Sequence, residues 1–188
     1  MRAASFVLLL SLSLTPAMFS ADGIPQVFDS QIKSVESDVL RLAEAMPAEK
    51  YDFAPTAGSF QGVRTFAEQA KHIATIMYML AGAALGEKPP VDLGTGENGP
   101  ASVRSKAQIV EYLRGSLKFA HKAAASLTEK NQLDDVTSPF GDGTMKRVAA
   151  VSTIAWHSFD HYGQMVVYAR MNGVVPPASQ PAPASAKK

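Results

Sequence analysis

The sequence predicts an all-α protein, a single-domain four-helix bundle. Four segments repeat apolar residues at alternating spacings of three and four, the period of one helix face. Proline and glycine punctuate the chain between those segments. Valine, tyrosine and phenylalanine nowhere alternate with polar residues over a strand's length, so no sheet is expected. The chain has 188 residues, about one domain's worth, and 46% of them are apolar, enough for a continuous core.

The first element is a leader. Arg2 gives a positive start, Phe6 to Leu14 is an apolar run broken only by Ser11 and Ser13, and Pro16 and small residues follow. This is the layout of a secretory signal peptide over residues 1–21, too short in its apolar part to span a bilayer. Neither Ser20 nor Ala21 sits in a clean Ala-x-Ala, and an uncleaved N-terminal anchor is the other reading. No other stretch approaches the ~20 apolar residues of a span. Export to the periplasm or the medium is expected, with no stable span once the leader is removed.

The bundle is expected over residues 22–175. Phe28, Ile32, Val35, Val39, Leu42 and Met46 carry the first helix, and Pro47 ends it. Val63, Phe66, Ala70, Ile73, Met77, Leu80 and Ala84 carry the second. Thr65 and Glu68 form a capping box near its start, and Gly86 with Pro89-Pro90 stops it. A second capping box, Ser105 with Gln108, opens the third helix, whose stripe is Ile109, Leu113, Leu117, Ala120, Ala124 and Leu127. The fourth runs from near Thr144 to Met171. Asn172-Gly173 supplies a left-handed cap there, and Pro176-Pro177 forbids continuation. Residues 87–104 are rich in Gly and Pro and long for a bundle turn, so they can cross the bundle between helices 2 and 3. The tail, 176–188, is Pro, Ala, Ser and Lys and is expected to be disordered.

Composition excludes some functions. The formal net charge is +1, with cations scattered among acids, so no nucleic-acid partner is expected. There is no cysteine, hence no disulfide, thiolate nucleophile or Cys-bound zinc. Gly94, Gly96 and Gly99 have no strand before them and no Lys-Ser/Thr after them, so they form no phosphate loop. The methionines are dispersed and read as core filler rather than a copper cluster.

Histidine carries the chemistry. His157 and His161 are four apart, which puts both rings on one helix face about 6 Å apart at the base. Their neighbours Ile154, Trp156, Phe159, Met165 and Val166 make that helix apolar nearly all round, and unpartnered buried imidazoles are costly. A shared metal removes the cost, because each neutral ring donates a lone pair. A chance His-x-x-x-His pair is the alternative. His72, in helix 2 beside its core stripe, is either a third ligand or an ordinary core histidine. If helices 2 and 4 run antiparallel, His72 is roughly level with His161; if parallel, His72 and His157 miss by about 9 Å at 1.5 Å per residue. His121 reads as structural or solvated. Glu68, one turn before His72, reads as a cap or a partner of the ligands, with a carboxylate ligand as the alternative, and Gln164 as a ring-orienting group or an ordinary polar residue. Asp160 projects about 100° away from His161 and about 60° away from His157. No Ser-His-Asp arrangement and no general base is evident, so the catalytic residues stay unassigned.

The segment HSFDHYGQMVVYARMNGVVPPAS, beginning at His157, resembles the last helix of the DinB family of DinB/YfiT-like metalloenzymes. VRTFAEQAKHIA resembles that family's second helix with its single histidine. The resemblance covers about residues 27 to 179. It implies an up-down-down-up bundle, often dimeric, with His72, His157 and His161 as ligands of one divalent ion, zinc or nickel. It also implies a small-molecule substrate. Some relatives activate a low-molecular-weight thiol (bacillithiol, mycothiol or glutathione) for S-transfer or isomerisation. The leader departs from the cytosolic thiol transferases. The expected function is therefore a metal-dependent enzyme of thiol S-transferase or hydrolase type; the alternative is a non-catalytic metal-binding or scaffold module. With helices 2 and 4 antiparallel, Tyr51, Phe53, Phe60 and Arg64 are the expected pocket walls.

Overall fold

The computed structural model describes residues 23–181. The leader expected over residues 1–21 and the chain from residue 182 lie outside them. The described chain is all-α apart from one short hairpin. Its helices are α1 (Ile24–Val35), α2 (Arg41–Ala45), α3 (Phe66–Leu85), α4 (Lys106–Ala125) and α5 (Arg147–Met171). Residues Glu36–Leu40 form a π-helical turn that joins α1 to α2, so the two make one long helical stretch. Among the described residues no helix is long and apolar enough to cross a membrane.

Both expected capping boxes form. Thr65 accepts from the Glu68 amide, and Glu68 accepts from the Thr65 amide, before the first turn of α3. Ser105 and Gln108 do the same for α4. Gly86 ends α3 with φ +68°, a left-handed cap that glycine adopts at no steric cost. The loops finish the work at the other helix starts. Phe66 and Ala67 donate their amides to the carbonyls of Phe53 and Tyr51, at 2.9 and 2.8 Å. Arg147 and Val148 donate to Asp134 and Gln132, both at 2.9 Å. Helix-start amides that have no partner within the helix are satisfied in this way.

The hairpin corrects the expectation of no sheet. Strands β1 (Asp135–Thr137) and β2 (Thr144–Lys146) pair antiparallel, with Val136 opposite Met145. Three residues per strand are too few for alternation to register in a sequence. The fourth helix accordingly starts at Arg147 rather than near Thr144. At the other end, Pro177–Ser179 forms a 3-10 turn, and Arg170 donates to the Ser179 hydroxyl at 3.0 Å.

Pairwise contacts orient the helices. Gln69 on α3 meets Gln164 on α5, while Arg147 at the start of α5 reaches the Ala84 carbonyl near the end of α3; the two run antiparallel. Thr75 meets Tyr112 at 3.0 Å and Glu87 meets Lys122 at 2.6 Å, so α3 and α4 run the same way. Asp29 meets His121 at 2.6 Å and the Glu44 carbonyl accepts from Lys106 at 2.7 Å, so the first helical stretch opposes α4. Between these helices lies one core that includes Leu42, Phe66, Ile73, Leu80, Leu117 and Ile154, all essentially inaccessible to solvent.

Candidate metal centre

His72 lies two turns into α3, and His157 and His161 lie mid-way along α5. Because these helices are antiparallel, the three rings meet. Ring centroids are 4.5 Å apart for His72 and His161, 5.0 Å for His72 and His157, and 4.6 Å for His157 and His161. One nitrogen from each ring lies within 4.8 Å of the other two. His72 and His161 are buried, at 4% and 8% exposure, and His157 is half-buried.

The second nitrogens of two rings are occupied. His72 Nδ1 is 3.0 Å from the backbone carbonyl of Glu97, which accepts only, so Nδ1 carries the proton. His161 Nδ1 is 2.7 Å from the side-chain oxygen of Gln69, and the Gln69 amide nitrogen donates to Gln164 at 2.8 Å. The Gln164 nitrogen, 3.4 Å from the same His161 atom, is the weaker contact. In both rings Nε2 is left with its lone pair free. An acceptor behind each ring is the arrangement that fixes tautomer and aim in metal-binding histidines.

The electrostatics keep the rings neutral. Burial first, and then the neighbouring imidazoles, lower the pKa of His157 and of His161 to about 4. Burial also lowers that of His72, followed by the charge of Arg64, against the pull of the Glu97 carbonyl and carboxylate. Neutral imidazole is the form that ligates a metal. The donor set therefore fits a divalent ion: three neutral nitrogens, two of them aimed, at a span one ion can bridge after small ring rotations.

Other candidates fall outside the cluster. Glu68 is a cap, as its box suggests, and Asp160 is exposed. His121 bonds Asp29 and faces Glu36 at the interface of α1 and α4. Of the expected pocket walls, Tyr51 is a core residue: its hydroxyl donates to the Ala43 carbonyl at 2.6 Å, and its ring packs edge-on against Phe66. Phe53 packs on Tyr168, and Phe60 is exposed. Arg64 alone of the four is tied to the histidines, through Glu97. A groove of about 830 Å³ beside the hairpin, between Gly82, Pro89, Val136 and Arg147, contains no imidazole.

Gln69, Glu97 and Asn98 were not anticipated. Gln69 precedes His72 by three residues, one helical turn, which is a signal for a ring partner only once the antiparallel helix is known. Glu97 and Asn98 belong to the crossover, and nothing local in the sequence says where a loop lands.

The fold and the site together define an all-α protein whose helices bring three histidines to one point able to hold a metal ion. The chain belongs to the DinB superfamily, whose family model matches residues 31–165. No curated protein matches it. Among solved structures, a DinB-like protein of Bacillus cereus ATCC 10987 superposes with a TM-score of 0.62 at 19% identity, over 80% of this chain and 93% of that one. A DinB-like protein of Bacillus subtilis gives 0.58 at 17% identity, covering 83% and 99%. A conserved protein of Enterococcus faecalis gives 0.62 at 13% identity, covering 80% and 98%. At these identities the likeness is one of fold.

Proposed function

We propose that this protein holds one divalent metal ion, zinc or nickel, through His72, His157 and His161, and uses it in a reaction of thiol S-transfer or hydrolysis on a small molecule. The observation that carries the reading is the convergence of three neutral imidazoles from two antiparallel helices, two of them aimed from behind by Glu97 and Gln69. Three protein ligands leave further positions on the ion open. A bound ion supplies Lewis acidity there and lowers the pKa of a water or thiol near it. The chain's own residues do the rest: the rings give their lone pairs, Gln69 and the Glu97 carbonyl keep the ring protons on the outer nitrogens, and burial keeps the rings uncharged.

The pairings of α1 with α4, α4 with α3 and α3 with α5 support an up-down-down-up bundle with residues 87–104 as the crossover. Export rests on residues 1–21. A homodimer, the other expectation attached to the family resemblance, is checked by sedimentation of the mature chain.

Elemental analysis of protein purified from the exported fraction tests the central reading. About one equivalent of metal per chain is expected, lost in the His72→Ala/His157→Ala/His161→Ala variant. Cobalt-substituted protein then separates enzyme from module. A spectrum that shifts with a thiol, together with turnover of an electrophile, supports the enzyme. Full loading with no exchangeable position supports the non-catalytic module.

A further inference from the structure

Arg64 ends the link before α3, and its guanidinium is directed by two successive residues of the crossover. Its Nε donates to the Asn98 side-chain oxygen at 2.7 Å. Its Nη2 is 3.5 Å from one Glu97 carboxylate oxygen, and that same oxygen is 4.0 Å from His72 Nδ1. The guanidinium and the edge of the cluster are thus separated by one carboxylate.

A fixed cation at this point works against metal binding, since like charges repel. Fastening the crossover does not require it. Lys71 already bonds the Pro100 carbonyl at 2.9 Å, and His72 bonds the Glu97 carbonyl. Nor does Glu97 neutralise it firmly. The contact is long, and the Glu97 side chain is 58% exposed, so water competes for both partners. A guanidinium beside a metal site, met by a loosely held carboxylate, is an anion seat with a weak internal occupant. Its planar fork of donors matches a carboxylate.

We propose that Arg64 anchors a carboxylate carried by the substrate, whose reacting end lies at the histidine cluster, and that the Glu97 side chain occupies the seat until the substrate displaces it. The substrate class is a small organic acid or an acid-bearing thiol. This rests on the metal-dependent reading above.

The test uses cobalt-loaded protein, with loading measured by elemental analysis and folding by circular dichroism. It is titrated with 3-mercaptopropionate and with 3-mercaptopropionamide, its uncharged counterpart, and the cobalt absorption is read. The carboxylate is expected to bind at least tenfold more tightly than the amide. Arg64→Gln is expected to bring the ratio close to one, and Arg64→Lys to keep part of it. Glu97→Gln retains the backbone carbonyl behind His72. It is expected to tighten binding of the carboxylate and leave the amide unchanged. Equal affinities in the native protein, or a ratio that survives Arg64→Gln, overturns the proposal while leaving the metal site standing. Cobalt uptake with no response to either thiol also overturns it, because no open position exists. Failure to take up cobalt at all overturns the metal reading itself, and the proposal with it.

Discussion

Gln69 is the residue on which the aim of His161 depends. It is 1% exposed, accepts from the ring and donates to Gln164, so its amide has one orientation. Gln69→Ala removes the acceptor and lets the ring turn or change tautomer. Metal affinity is expected to fall about 10- to 100-fold, the usual cost of losing such a partner, as measured by competition with a chelator. The histidines also set a pH dependence. Unfolded histidine titrates near 6.5, whereas His157 and His161 titrate at about 4 when folded. Between those values the unfolded chain binds more protons, so stability is complete above pH 6.5 and is lost as pH falls toward 4. The melting temperature of the metal-free protein is expected to drop across that window, and the drop to shrink in His157→Gln/His161→Gln. At this scale the α5 histidine pair was readable from spacing, because four residues in a helix fix a shared face. His72 was readable only as a candidate, since its partners come from a segment some 85 residues away.

Periodicity and caps describe most of the elements. The stripe from Ile32 to Met46 marks one helix, and the chain is helical there, but a π turn at Glu36–Leu40 inserts extra length. That turn buries Leu40 beside Val39, an additional inward residue that a strict three-four count leaves out. The hairpin at 135–146 escaped notice because a three-residue strand has no period to detect. Close packing between α3 and α4 likewise has no local signature. Gly115 faces the Tyr78 hydroxyl so closely that any Cβ there would collide with it, and Tyr78 is 2% exposed. Gly115→Ala is expected to destabilise the protein by about 1–3 kcal/mol, the range for overpacking a core, seen as a lower urea midpoint. Helix propensity alone predicts the opposite sign, since alanine favours helix over glycine by about 1 kcal/mol. The experiment therefore decides whether packing or propensity governs the site.

Across the whole molecule, a bound ion would tie α3 to α5 at mid-height, while Arg147 ties the far end of α3 to the start of α5. Ligand that binds only the folded state stabilises it by mass action. Free metal at a hundred times its dissociation constant is expected to add about 2.7 kcal/mol, read as a rise in melting temperature. The His72→Ala variant is expected to lose most of that rise, because the ion then has ligands from one helix only. The crossover has a second task at this scale, since it delivers Glu97 to His72 and Asn98 to Arg64 after spanning the distance between α3 and α4.

The sequence by itself determined the all-α class, the two capping boxes, the helix faces and the helix-5 histidine pair. Each depends on residues within a turn or two of one another, where covalent geometry leaves few choices. Only the tertiary structure decided that α3 and α5 run antiparallel and that His72 therefore faces the pair. It alone decided that Gln69 and Glu97 stand behind the rings and that Arg64 looks across a carboxylate at the site. Those contacts join segments far apart in the chain, and their register is set by how whole helices pack and where a long crossover lands, which no local pattern encodes.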